Sequence, residues 1–199
     1  MRIGVIGAGN VGSALAAVWA RAGHEIVVGS RTHDRAKEVA ERVGGTAVPV
    51  REVGAAGDAV LLAVPWASVD EALAAAGAAE GVFAGKPLID PTNAVNHGKG
   101  EVLVESAAAH VAGIATGAHV VKAFNLLPAA AWGTTAPVVP VCGDDPAAVS
   151  TVLGLVGDVG ATGVHLGGLD RARQVEQVAG FVIGLIFQGI DPTRALPRE

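Results

Sequence analysis

What this chain has little of already narrows its function. It carries one cysteine, Cys142, among 199 residues, which excludes an internal disulfide framework and suits a reducing compartment. A single thiol builds no thiolate metal centre, and the six histidines show no metal-ligand spacing, so no metal is expected. Tyrosine is absent and aromatics make up 4% of the chain, which removes a tyrosine–lysine proton-donor pair. There is no basic excess: the net charge is -5, without charged tails, and this argues against nucleic acid and anionic membrane as partners. The longest apolar run, Val178 to Phe187, is about half of the roughly 20 residues that span a bilayer. No secretory segment precedes the first strand, so a soluble, cytoplasmic protein is expected.

What the chain does have is alanine, valine and 28 glycines, a composition suited to helices packed closely on both faces of a parallel sheet. The pattern supports this. Short apolar strands are expected at Arg2–Ile6, Glu25–Gly29, residues 46–50, Asp58–Val64, Lys86–Asp90 and His119–Asn125. Helices are expected at Asn10–Ala22, His33–Gly45, Val69–Ala79 and about Val102–Ala112. Beyond these come a strand in "APVVPVCGDD", a helix from Pro146 to Val156 opened by Asp144 and Asp145, a strand at Thr162–Leu166 and a helix over Asp170–Gln188. The fold class is therefore α/β: a Rossmann-type, doubly wound, mostly parallel sheet with a smaller C-terminal α/β part. We divide it into a dinucleotide-binding domain, 1–125, and a C-terminal part, 126–199. The second half of the last helix is apolar almost all round, through Val178, Val182, Ile183, Ile186 and Phe187. It is either deeply buried or shared with another subunit.

Gly7, Gly9 and Gly12 spell G-x-G-x-x-G between a strand and a helix. The first glycine permits the tight turn, the second lets the backbone approach a pyrophosphate, and the third lets the helix pack on the strand. The helix then begins at Asn10 and Val11, offering free N–H groups and the positive end of its dipole. In binders of NAD an acid at the end of the next strand receives the adenosine ribose hydroxyls. Here that strand ends in Ser30-Arg31-Thr32, with Arg35 four residues on. A hydroxyl and planar, permanently charged guanidinium groups suit a 2′-phosphate, so NADP(H) is expected over NAD(H). The alternative is that Arg31 and Arg35 are solvated surface charges, or that Asp34 pairs with Arg31.

Taken together, "IGAGNVG", "HEIVVGSR", "LAVPW" and "VPVCGDD" resemble the NADPH-dependent deazaflavin reductases. These enzymes exchange a hydride between NADP(H) and the deazaflavin coenzyme F420. The oxidoreductase domain of STEAP-type metalloreductases is similar too, and pyrroline-carboxylate reductases share the first third. The resemblance implies a Rossmann domain, a smaller C-terminal part and a homodimer. It implies a 2′-phosphate site at Ser30, Arg31 and Arg35. It places Val64, Pro65 and Trp66 beside the dinucleotide, and Pro128-Ala129 where the main chain holds the nicotinamide carboxamide.

In open parallel sheets ligands bind beyond the carboxyl ends of the strands. The loops there supply Gly9–Val11, Val64–Trp66, Thr92-Asn93 and Asn125–Ala129. Hydride transfer between planar rings needs close stacking, a dry site and hydrogen-bond donors rather than a nucleophile. Asn93 and Asn125 offer uncharged amides, and both are expected near the cofactor and its co-substrate; Asn125 is the expected positioning residue. Leu126 and Leu127 would floor the acceptor ring. The alternative for each asparagine is a turn or strand-end role. His97 is a loop histidine with a possible proton to give, His165 a structural one, and Trp19 and Trp132 are packing residues. Arg171, Arg173 and Glu176 read as helix-surface charges. Acceptors other than a deazaflavin (a flavin, quinone, imine or metal chelate) remain open, as does an NADP(H) sensor without turnover.

Overall fold

The computed structural model describes residues 1–96, 98–133 and 136–195. Strand β1 (Arg2–Ile6) leads into helix α1 (Asn10–Arg21), β2 (Glu25–Gly29) into α2 (His33–Val43), and the short β3 (Thr46–Ala47) into α3 (Val50–Ala56). A second run follows: β4 (Ala59–Leu62), α4 (Val69–Ala76), β5 (Pro87–Asp90), a hairpin of β6 (Val95–Asn96) and β7 (Glu101–Val102), α5 (Ala107–Ile114) and β8 (His119–Lys122). The chain closes with β9 (Val138–Cys142), α6 (Pro146–Asp158), β10 (Thr162–Gly167) and α7 (Ala172–Phe187).

Eight strands form one sheet in the order β10-β9-β8-β5-β4-β1-β2-β3. Neighbours are parallel except β8 and β9, which meet antiparallel at Lys122 and Cys142. The chain moves outward from β1 to β2 and β3, then returns through β4 to the other side. This puts the switch point between β1 and β4, at the carboxyl ends of both.

The central strands are buried on both faces, which is why they read as unbroken apolar runs. Alternate residues serve different layers. Ile3 and Val5 join Leu15 and Trp19 of α1, Val39 of α2 and Val152 of α6 on one face. Ile6, Val60 and Leu62 join Val53 of α3, Leu73 of α4, Val111 of α5 and Val175 of α7 on the other. Trp19 and Trp132 pack as expected. The ring of Phe124 stands edge-on to each, at 5.7 and 5.3 Å between centroids, and Trp19 Nε1 donates to the Leu155 carbonyl at 2.9 Å.

The structure changes two element assignments expected from the sequence and removes one of the two readings of the last helix. The strand expected over residues 46–50 ends at Ala47, and α3 follows it. The helix expected from Val102 starts instead at Ala107, because Glu101 and Val102 pair with Asn96 and Val95 in the hairpin. Ser106 then caps α5 through its side chain. Along α7 the buried residues are Ala172, Val175, Glu176, Ala179 and Gly180, whereas Val178, Phe181 and Ile186 are exposed; its distal half is not core. Among the described residues no helix is long and apolar enough to cross a membrane.

Candidate active site

At the switch point lies a cleft of about 270 Å³, lined by Gly7 to Gly9, Ser30 to Thr32, Arg35, Val50, Val64, Pro65 and the inner face of α4. The glycines that shape it do so for separable reasons. Gly7 has φ +112°, and a Cβ there would lie 2.1 Å from the Ala63 carbonyl oxygen. A Cβ on Gly12 would lie 2.2 Å from the Gly7 carbonyl oxygen. Both are demanded by the fold. Gly9 is different: a Cβ there meets nothing within 4 Å. Among the described residues no packing constraint accounts for it, and its missing side chain keeps the cleft floor open.

Gly9 is also the N-cap of α1, and it caps nothing through a side chain; no acid stands in the first turn. The helical ladder begins with Ser13 N–H donating to the Gly9 carbonyl. The N–H groups of Asn10, Val11 and Gly12 therefore have no intrahelical acceptor. An uncapped helix end beside an open floor fits a diphosphate held by main-chain donors and the helix dipole. The Gly7 N–H donates to the Gly29 carbonyl at 2.8 Å, which draws the end of β2, and hence Ser30, against this turn.

Arg31 and Arg35 both face the cleft from that end. Arg31 Nη1 lies 3.2 Å from Glu71 Oε2 of α4, with both side chains more than half exposed. Asp34 is not its partner. So exposed a pair contributes little stability, and a guanidinium has further N–H groups to offer. Arg35 makes no ion pair among the described residues. The fit to a phosphate on the adenosine ribose is good: a hydroxyl, two guanidinium groups and no carboxylate at the strand end.

The other half of the candidate site, beyond β5 and β8, is built differently. Asn93 Nδ2 donates to the Asn125 main-chain carbonyl at 2.7 Å, and Asn125 Nδ2 donates to Asn93 Oδ1 at 2.9 Å. The two asparagines thus clasp one loop to the other. A carbonyl oxygen can only accept, so the first bond fixes which way the Asn93 amide points, and the second then fixes Asn125. Asn125 Oδ1 is left buried with no partner, as are Thr92 Oγ1 and Trp132 Nε1. Phe124, just before Asn125, has φ +64°, a left-handed conformation that costs about 1–2 kcal/mol for such a side chain.

Beneath the clasp is a buried ion cluster. Lys122 Nζ lies 2.7 Å from Asp90 Oδ2 and 2.9 Å from Glu176 Oε1, and all three side chains are almost fully buried. Glu176 is therefore not a surface charge. It also accepts from the Ala107 and Ala108 N–H groups at the start of α5, where the helix dipole favours an anion. Arg171 and Arg173 are exposed as expected, bonded to Gln174 and Glu105. Cys142 is buried, and that burial pushes its thiol above the ordinary range, which keeps it protonated and unreactive.

Of the residues singled out in the sequence, Gly7, Gly9, Ser30, Arg31, Arg35, Val64 and Pro65 come together in the cleft. Asn10, Val11 and Gly12 form the adjoining helical turn. Trp66 sits at the margin, its ring 5.2 Å from that of His110. Asn93 and Asn125 meet each other rather than lining the cleft. Leu127 packs against the core, and Ala129 opens a short 3-10 turn. His165 lies exposed in β10; His97 is outside the described residues. The sequence reading missed Val50, Ser68, Glu71, Ala72 and Ala75 of the cleft wall. Val50 belongs to the unexpected α3, and the others lie on α4 or in the turn before it.

Comparison with known proteins agrees with this geometry. Residues 2–94 match the family described as NADP oxidoreductase coenzyme F420-dependent. A candidate F420-dependent NADP reductase from Arthrobacter sp. FB24 has a TM-score of 0.81 at 28% identity, over 94% of this chain and 95% of its own. The hypothetical protein SMa0349 from Sinorhizobium meliloti has a TM-score of 0.74 at 28% identity, over 86% of this chain and 87% of its own. A reductive aminase from Aspergillus terreus, solved with NADPH and ethyl levulinate, has a TM-score of 0.73 at 22% identity, and only 62% of its length is matched; it shares the fold. The matched stretch, residues 2–94, carries the glycine turn, the Ser30-Arg31 corner and the Val64-Pro65 loop, and in it the chain is similar to the coenzyme F420-dependent NADP oxidoreductases.

Proposed function

We propose that the protein transfers a hydride between NADP(H) and the deazaflavin coenzyme F420. The observation that carries the nucleotide half is the uncapped first turn of α1 above an open floor, with Ser30, Arg31 and Arg35 where an acid would repel a 2′-phosphate. When bound, the dihydronicotinamide supplies the hydride and the deazaflavin receives it, taking a proton from solvent. The chain's own part is to bind and orient. The α1 N–H groups hold the diphosphate, and the guanidinium groups select the phosphorylated ribose. Val50, Val64, Ala72 and Ala75 give the adenosine an apolar wall. The clasped loops of Asn93 and Asn125 set the floor on which the reacting rings stack. The family match over residues 2–94 and the lack of any tyrosine or activated thiol support chemistry that needs orientation rather than a side-chain nucleophile.

The test is direct. Protein, NADPH and oxidised deazaflavin are mixed, and loss of deazaflavin absorbance is followed. Bleaching proportional to enzyme concentration is expected. Absence of bleaching where NADPH demonstrably binds would refute the deazaflavin as acceptor. Equal dissociation constants for NADPH and NADH would refute the phosphate site itself.

We also infer that a second copy of the chain covers the distal part of α7. Val178, Phe181, Ile186 and the following Ile190 present apolar surface there, which a monomer would leave in water. Sedimentation velocity should give a dimer, and Phe181→Glu should shift it towards monomer.

A further inference from the structure

We propose that Lys122 is a positioning residue for the acceptor side of the site, and that Asp90 and Glu176 are its counterparts. This rests on the hydride-transfer reading above. The argument starts from what an ammonium group needs. Lysine carries three N–H donors and no acceptor. In this fold Lys122 Nζ has three oxygens within 3 Å: it donates to the Thr92 main-chain carbonyl at 2.7 Å and forms ion pairs with Asp90 Oδ2 at 2.7 Å and Glu176 Oε1 at 2.9 Å, the Asp90 contact being one of charge without hydrogen-bond geometry. Each belongs to a different part of the site. Asp90 ends β5. Thr92 immediately precedes Asn93. Glu176 follows Val175 on α7, whose carbonyl lies 3.5 Å from Asn125 Nδ2. Lys122 itself ends β8, three residues before Asn125.

One buried cation thus joins every segment that carries the asparagine clasp. The carboxylates extend the same work. Asp90 Oδ1 accepts the Thr92 N–H at 2.8 Å, which fixes the first turn of the loop. Glu176 takes both free N–H groups at the start of α5, which fixes the helix that follows that loop. Apolar packing alone would not set these distances. A buried ion cluster is poor at adding stability compared with well-packed hydrocarbon, and its attested use is to specify one arrangement. Here the specified arrangement includes a left-handed Phe124, a conformation that persists only where its surroundings hold it. Lys122 touches neither nucleotide nor acceptor in this account; it acts through Asn93 and Asn125.

The test uses Lys122→Met, together with Lys122→Met/Asp90→Asn, which leaves fewer buried charges unpaired should the single variant fold poorly. Hydrogen exchange is measured first, since it needs no acceptor. Exchange should rise at least tenfold in peptides covering 91–96 and 123–127, while β1, β2 and α1 are unchanged. The dissociation constant for NADPH should stay within threefold. Turnover with the deazaflavin should fall at least tenfold, and adding Asn125→Ala in the variant background should lower it no further, because both changes remove the same positioned group. Uniformly raised exchange, or unchanged exchange in those two peptides, would overturn the proposal. So would losses from Lys122→Met and Asn125→Ala that multiply. A wild-type protein that binds NADPH but never reduces the deazaflavin would instead defeat the acceptor reading, and the exchange result would still decide the positioning claim.

Discussion

On the proposed reading, the two ends of the candidate site hold a flat, charged ligand in opposite ways. At the phosphate end the work is done by main chain in water's reach: an uncapped helix turn, an open glycine floor and exposed guanidinium groups. At the ring end it is done by side chains largely withdrawn from water: a half-buried and a buried asparagine bonded to each other over a buried lysine with two carboxylates. The exposed end depends on its backbone for shape and on two guanidinium groups for the phosphate, and losing either costs nucleotide binding. A sealed end tolerates neither the loss of a charge nor the loss of an amide, because each partner is left stranded. Binding and turnover should therefore respond separately to mutation.

The largest expected effect tests the backbone end. Gly7→Ala puts a methyl group 2.1 Å from the Ala63 carbonyl oxygen at φ +112°. We expect destabilisation on the order of 3 kcal/mol in urea unfolding and no measurable NADPH binding by calorimetry. Next comes the double variant Arg31→Ala/Arg35→Ala. Losing two charge-assisted contacts at roughly 1.5 kcal/mol each should weaken NADPH about 100-fold and leave NADH within twofold. If both nucleotides weaken equally, the guanidinium groups do not read the phosphate and the contrast between the ends blurs. At the sealed end, Asn125→Ala should slow turnover roughly tenfold or more through misplaced rings, with NADPH affinity unchanged. A matching loss of affinity would mean that the two ends are not separable. The smallest effect is expected at Cys142. Burial raises its pKa above the usual thiol value, so at pH 8 the thiolate fraction falls below that of an unfolded thiol. Native protein should resist maleimide where unfolded protein reacts, and Cys142→Ala should leave turnover within twofold.

The same contrast decides what could be read from the residues. The phosphate end was legible because its causes are local. Gly7 and Gly12 answer to carbonyls a few residues away or on the neighbouring strand, and the Ser30-Arg31 corner follows its strand directly. The ring end was only half legible. Asn93 and Asn125 were found by position, but their mutual bonding joins loops 32 residues apart. Glu176 was misread because a charged residue in a helix ordinarily faces water; nothing near it in sequence announces that α5 starts above it. Helix α3 was missed for a similar reason. Its Gly54 weakens the helical signal, and the space it leaves is taken by the Phe83 ring, 2.7 Å from where a Cβ would stand. The late start of α5, at Ala107 rather than Val102, shows the converse, a strand pair too short to leave a periodic trace.

The bare first turn of α1 carries a consequence for how the protein lives. Helices α5 and α6 have Ser106 and Asp145 as side-chain caps; α1, like α2, α3, α4 and α7, has none, and on the proposed reading the dinucleotide takes that place. If the proposed dinucleotide binds there, coenzyme supply and folding are linked. At a free nucleotide concentration of roughly a hundred dissociation constants the loaded fold gains about 2.7 kcal/mol, and a cell that runs short of the dinucleotide loosens the very molecule that would have spent it.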